Sequence, residues 1–311
     1  MNQCLVTKLK GVASDNSLMR LGEFRIKVNK VTAPTSKTQG FTFLFNKDAK
    51  IEIIGDGYFT DKALKANNGK ILELSANKTT SVYVSNGDFE VAVLDKYSLV
   101  RLLFYAQGET NVGVTEMSNR SMSIDDLKYS TALTSINLSR TQVSGDISAL
   151  QNLTALTTIN LSSTQVSGNI SALQNLTALT TINLENCTGN LSSLSSSTKL
   201  TYCSLKKSAI TGDLASLAAT CYFASFQNDS GSSLSWTTRP STSNIIAIEG
   251  RASMEGIDKM LQDQAQCVKA IPASGQSWFK TISVAGNRTS ASDDAVVTLQ
   301  EKGYTISITR A

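Results

Sequence analysis

Hydrophobic residues alternate with polar ones over much of the first hundred positions. Phe24, Ile26 and Val28 form one such run, Phe41, Phe43 and Phe45 another, followed by Ile51 with Ile53 and Leu72 with Leu74. A period of two marks a strand with one buried face. Val82 to Val84 and Phe89, Val91 and Val93 flank Asn86-Gly87, a pair suited to the two positive φ angles of a type I′ turn, so a hairpin is expected there. Six to eight short strands separated by turn residues predict an antiparallel β-sandwich over residues 1–112.

The period then changes. Leu133 to Ala155 reads LTSINLSRTQVSGDISALQNLTA and Leu156 to Ala178 reads LTTINLSSTQVSGNISALQNLTA, with three differences. The frame returns from Leu179 and from Leu200, giving spacings of 23, 23, 21 and 21 residues. Self-similarity at this period is the signature of a stacked solenoid. One unit offers about six aliphatic side chains, too few to offset the entropy of ordering its own backbone, so the units must stack and their ends must be capped. Ile124, Leu127 and Leu133 repeat the spacing of Ile147, Leu150 and Leu156, which predicts a degenerate first turn joining the two parts rigidly.

The frame L-x-x-I-x-L-x-x-T, seen in Leu133, Ile136, Leu138 and Thr141, again in Leu156, Ile159, Leu161 and Thr164, and then with Cys187 in the last place, resembles the leucine-rich repeat. The half-unit Val143 to Leu153 is similar to the second half of plant-type repeats, with serine in place of proline. The resemblance implies a parallel sheet on the concave side and a ladder of polar residues at the turn leaving each strand. Thr141, Thr164, Cys187, Ser208 and Asn228 or Asp229 stand at or near that position. The texture of the whole chain also resembles surface and virion proteins of gut Bacteroidetes and their tailed phages.

After Ile245 to Glu249 the units lengthen. Ser253 is expected to cap a helix with Ile257, Met260 and Leu261 on one face, and the chain returns through Pro272 to a strand at Phe279 to Val284. Ser290 with Asp293 predicts a capping box for a second helix, Val296 and Leu299 face inward, and Gly303 ends it before a strand at Tyr304 to Ile308. The fold expected is therefore mainly β with α/β C-terminal turns: an N-terminal antiparallel β-sandwich over 1–112, followed by a leucine-rich-repeat solenoid over 113–311.

Composition narrows the function. Histidine is absent, which removes the commonest general base and zinc ligand, and no paired acids or glycine-rich phosphate loop takes its place. No enzyme, metal or other cofactor is expected. Net charge is +4; the first hundred residues hold 14 Lys/Arg against 10 Asp/Glu, whereas from Thr131 to Leu200 only Arg140, Asp146, Glu185 and Lys199 are charged. Such a face does not neutralise phosphates, so nucleic acid is not an expected partner. The opening MNQCLVTKLKG has no long apolar run, so neither a signal peptide nor membrane insertion is expected. Of the five cysteines, those in the repeat frame fall at interior positions and read as small buried hydrophobes.

The outward residues of the repeat strands are Ser135, Asn137 and Ser139, then Thr158, Asn160 and Ser162, then Thr181, Asn183 and Glu185. They continue as Tyr202, Ser204 and Lys206, then Phe223, Ser225 and Gln227, then Ile245, Ala247 and Glu249. Asn160, Asn183, Glu185, Tyr202, Lys206, Phe223 and Gln227 are the candidate binding residues, with Tyr202 and Phe223 as an aromatic anchor. Trp236 and Trp278 are read as packed, with sugar stacking as the alternative. The partners expected are a protein or glycan on a cell surface through the solenoid, and virion proteins or a second copy through the N-terminal part. The chain is thus read as a recognition or adhesion protein of a phage virion; the alternatives are a structural spacer and a bacterial cell-surface adhesin.

Overall fold

The computed structural model describes residues 24–31, 39–55, 57–59, 65–66, 70–84, 87–106, 123–226, 231–250, 252–267 and 280–309. The first strands are β1 (Phe24–Val31), β2 (Gln39–Phe45), β3 (Ala49–Gly55), β4 (Gly57–Phe59) and β5 (Lys65–Ala66). β6 (Lys70–Leu74), β7 (Thr80–Val84), β8 (Gly87–Val93) and β9 (Leu99–Ala106) follow. β1, β8, β3 and β6 form one antiparallel sheet, while β2 pairs with β7 and β9, and β4 with β5 and β7. Phe41, Phe43, Phe45, Ile51, Ile53, Val91 and Val93 are buried together, as the alternation predicts.

The expected hairpin of β7 with β8 does not form. β8 is flanked by β1 on one edge and β3 on the other, and a strand has only two edges, so β7 pairs with β2 and β4 instead. Ser85 and Asn86, at the expected turn, lie outside the described residues, as does the expected boundary at 112.

The strand that alternation misses is β9. It pairs antiparallel with β2 along one edge and parallel with β10 (Ser135–Asn137) along the other, placing Arg101, Leu102 and Leu103 beside Ser135, Ile136 and Asn137. Its sequence, LVRLLFYA, is a nearly continuous apolar run, which a search for alternation does not mark as a strand.

Beyond β10 the chain winds as stacked coils with two parallel ladders. The main one continues through β12 (Thr158–Asn160), β14 (Thr181–Glu185), β16 (Tyr202–Lys206), β18 (Phe223–Phe226), β20 (Ala247–Gly250), β22 (Thr281–Ala285) and β23 (Thr305–Thr309). The second comprises β11 (Ser144–Asp146), β13 (Gln165–Asn169), β15 (Cys187–Asn190), β17 (Ala209–Asp213), β19 (Ser233–Ser235) and β21 (Ser253–Met254). Short 3-10 turns such as Ile147–Leu150 and Ile170–Leu173 close each coil, and Ile124–Leu127 is the degenerate first one, its Ile124 and Leu127 fully buried. Ile136, Ile159 and Ile182, and likewise Leu133, Leu156, Leu179 and Leu200, are buried at equivalent positions. This is a solenoid of stacked coils, and its first rung among the described residues is β9.

Hydrogen bonds between coils repeat with the sequence. Thr157 Oγ1 donates to Thr134 O (2.9 Å), Thr180 to Thr157 O (3.0 Å) and Thr201 to Thr180 O (2.9 Å); Thr134 continues the series to Val100 O of β9 (3.3 Å). At the strand exits Thr141 and Thr164 donate to Leu138 O and Leu161 O at 2.7 and 2.6 Å, and Ser208 Oγ accepts from Cys187 N at 3.0 Å. Threonine, cysteine and serine therefore fill the expected polar ladder, Cys187 Sγ donating to Glu185 O at 3.3 Å; Asn228 and Asp229 lie outside the described residues. Each 3-10 turn is capped by the residue before it, with Asn169 accepting from Ser171 N and Asn190 from Ser192 N, both at 2.9 Å.

One non-glycine position in each of four successive coils turns left-handed: Arg140, Ser163, Asn186 and Lys207 have φ of 58°, 56°, 56° and 54°. Only Asn186 is a residue type that tolerates this well. Arg140→Asn is accordingly expected to stabilise the fold by about 0.5–1 kcal/mol, read as a higher urea midpoint; an unchanged or lower midpoint would contradict it.

Two helices, α1 (Ile257–Gln266) and α2 (Asp293–Glu301), occupy the last coils. Ile257, Met260 and Leu261 are buried as predicted, but Ser253 is not the cap. It belongs to β21, paired with Ser233 and Ala285, and α1 starts after Gly256 at φ 75°. The expected capping box at Ser290 is also absent. Thr289 caps a 3-10 turn over Ser290–Ser292 by accepting from Ala291 N, and Asp293, which opens α2, is held by Arg288. Leu299 is fully buried, Val296 half-buried, and Gly303 at φ 84° ends the helix. Pro272 and Phe279 lie outside the described residues.

Arg239 was not singled out by its sequence context. It is 4% exposed, and its guanidinium donates to Leu217 O (2.9 Å), Ala218 O (2.8 Å) and Cys221 O (3.2 Å), with longer bonds to Ala215 O and Asn244 O at 3.4 Å. Asp263 accepts from Arg239 N at 3.1 Å and from Trp236 Nε1 at 2.9 Å, so Trp236 is packed, as read; Trp278 lies outside the described residues. Among the described residues Cys187, Cys203, Cys221 and Cys267 are free and buried, and burial pushes the Cys187 thiol up to about 12 and that of Cys221 to about 11. No helix among the described residues is long and apolar enough to cross a membrane.

Candidate binding groove on the parallel sheet

In the main ladder the central residues, Ile136, Ile159, Ile182, Cys203 and Ala224, are buried, so the residues on either side of them point to the opposite face. Parallel register then stacks equivalent residues into rows. One row runs Ser135, Thr158, Thr181, Tyr202, Phe223, Ala247, and the next Asn137, Asn160, Asn183, Ser204, Ser225, Glu249. The sixth coil differs from its sequence alignment by two residues: Ala247, not Ile245, stands beside Phe223, and Ile245 is buried.

The rows form the floor of a groove of about 390 Å³. Ser135, Thr158 and Thr181 lie along it beside Asn137, Asn160 and Asn183; Leu103 of β9 lines the N-terminal end, and Tyr202 and Tyr222 the C-terminal end. None of these lining residues is charged. Asn137 and Asn160 are held in one orientation. Asn137 Oδ1 accepts from the Ser139 N–H (3.1 Å) and hydroxyl (2.8 Å), and Asn160 Oδ1 accepts from the same groups of Ser162 (3.3 and 2.9 Å). A backbone N–H can only be met by oxygen, so the amide –NH₂ is left for the groove.

The candidate residues fall into three groups. Asn160, Asn183 and Tyr202 line the groove. Glu185 and Lys206 are the last residues of β14 and β16 and are engaged elsewhere: Glu185, 8% exposed, pairs with Lys207 at 2.7 Å, and Lys206 with Glu249 at 3.6 Å. Phe223 is in the expected row but is fully buried. Tyr202 stacks on it at 4.7 Å between ring centroids, 17° from parallel, so Phe223 backs the tyrosine instead of forming half of an exposed anchor. Gln227 lies outside the described residues. Burial, and then the Glu249 carboxylate, push the Tyr202 phenol above its ordinary value, keeping it neutral at physiological pH.

Leu103 and Tyr222 are the lining residues that sequence reasoning missed. Leu103 lies in an apolar run that signals burial, and Tyr222 lies outside the alternation used to select the rows. Among the described residues no group of three or more His, Cys, Asp or Glu is placed to hold a metal ion.

A scan against protein-family models matches none, and a search of curated proteins finds no relative. Among solved structures the chain is similar to internalin C2 of Listeria monocytogenes, with 28% identity over 29% of this chain and 39% of that one, at a TM-score of 0.26. It is similar to internalin F of the same organism at 17% identity, covering 70% of each chain, with a TM-score of 0.32. The Arabidopsis receptor kinase HAESA, solved with the peptide hormone IDA and the co-receptor SERK1, matches at 16% identity over 68% of this chain and 34% of that one, with a TM-score of 0.38. The match thus spans well under half the length of internalin C2 and of HAESA.

Proposed function

We propose that the chain is a non-enzymatic recognition protein whose parallel sheet binds a protein or glycan on a cell surface. The observation that carries this reading is the groove itself: a hollow on the outward face, with oriented polar donors along its floor and two tyrosines at one end. A face that served only as a spacer has no use for either feature.

In this reading residues 1–112 fold as an antiparallel sandwich that attaches the chain to a larger assembly, and residues 113–311 present the groove. On the resemblance in overall texture we take that assembly to be a phage virion, with the bacterial cell surface as the alternative. The test is saturable binding of the fluorescently labelled chain to intact gut Bacteroidetes cells. Tyr202→Ala is expected to weaken it roughly tenfold or more, as loss of a central aromatic contact does. Unchanged binding by that variant would move the site off the groove. Failure of the parent chain to bind any cells, together with its incorporation into particles, would favour the spacer role.

A further inference from the structure

Building on the recognition reading, we infer that the groove takes an uncharged oligosaccharide, laid across the strands with about one sugar ring to each coil. Three features of the site select this ligand.

The first is charge. The lining itself is neutral; at its N-terminal edge Arg101, beside Ser135, donates to Thr79 Oγ1 (3.0 Å), and on the C-terminal side Glu185, Lys206, Lys207 and Glu249 are paired with one another. A charged peptide or an acidic polysaccharide finds no counter-charge on the floor. The second is spacing. Asn137, Asn160 and Asn183 recur once per strand, roughly 4.8 Å apart, whereas an extended peptide advances only about 3.3 Å per residue. Successive carboxamides therefore fall out of step with successive peptide units, while a pyranose ring is about as long as one strand spacing. The –NH₂ groups left free at Asn137 and Asn160 are donors suited to sugar hydroxyls, and the Ser135, Thr158 and Thr181 hydroxyls alongside can donate or accept.

The third is the C-terminal end. Tyr202, steadied from behind by Phe223, and Tyr222 offer aromatic surface of the kind on which the apolar face of a sugar ring rests.

The test is titration of the full chain, followed by calorimetry and saturation-transfer NMR, with neutral cello-, xylo-, manno-, laminari- and maltohexaose, and with hexagalacturonate as the charged comparison. Saturable binding of at least one neutral hexasaccharide is expected, with hexagalacturonate weaker. Asn160→Asp keeps the oxygen that Ser162 needs but replaces the donor with a negative charge; it should weaken the neutral sugar roughly tenfold with an unchanged circular dichroism spectrum. Tyr202→Ala provides a second, independent variant. No saturable binding across the neutral panel, or tighter binding of hexagalacturonate, overturns the oligosaccharide assignment. If cell binding still depends on Tyr202 in that case, the groove is a recognition site for a protein; if it does not, the recognition reading falls as well.

Discussion

Gly189→Ala should cost the fold about 3–5 kcal/mol, seen as a large drop in the urea midpoint and in Tm. Gly189 has φ of 131°, a region L-residues rarely adopt, and this alone costs about 1–3 kcal/mol for alanine. A Cβ there would lie 2.6 Å from Asn169 Oδ1 and 2.8 Å from Ile170 Cγ1 of the preceding coil. Neither neighbour retreats cheaply. Asn169 is the cap that accepts from Ser171 N, a bond worth about 1 kcal/mol, and Ile170 is fully buried in a close-packed interior. The same contact recurs one coil earlier, where a Cβ at Gly168 would lie 2.9 Å from both Asp146 carboxylate oxygens. The glycine of each unit is thus the socket for the cap of the unit before it. A loss below about 1 kcal/mol for Gly189→Ala would show that the coils are looser than this packing requires.

The second large effect is expected at Arg239. Its replacement by leucine keeps much of the volume but leaves the carbonyls of Leu217 and Cys221 without their donor inside the protein, while Ala218 O keeps only the Cys221 N–H. Each buried unmet polar group costs about 1–3 kcal/mol, offset in part because a buried charge is no longer desolvated. Burial already lowers the affinity of Arg239 for its proton. The net loss should be about 3–4 kcal/mol, measured by denaturant unfolding. Arg239→Lys should recover only part of it, since one ammonium cannot reach carbonyls that the planar guanidinium spans. Equal stability of the lysine variant and the parent would mean that charge, rather than the fork of donors, is what the site uses.

The repeat half was legible because its side chains obey one local rule: Ile136, Ile159 and Ile182 are buried where the frame puts them, and Asn160, Asn183 and Tyr202 face outward beside them. What local patterning cannot show is how distant chain is brought together. Phe223 obeys the alternation yet is buried, because exposure depends on what covers a face and not on which way it points. β7 and β8 have hairpin sequences, but edge availability, a property of the whole sheet, assigns them to different partners. Ser253 has a cap's chemistry, and its place in a ladder takes precedence. Arg239 was hidden for a related reason, since its partners are backbone carbonyls, which any residue supplies.

β9 bears on how the two halves influence each other. It is the last strand of the antiparallel part and also the first rung of the solenoid, and its Leu103, beside Thr42 of β2 and Asn137 of β10, lines the groove. A ligand gripped there holds β9 in place. By thermodynamic linkage it must then make the N-terminal strands harder to unravel, and anything that tightens or strains those strands must change the ligand's affinity by the same factor. The N-terminal strands and the groove are in this way coupled through a single strand.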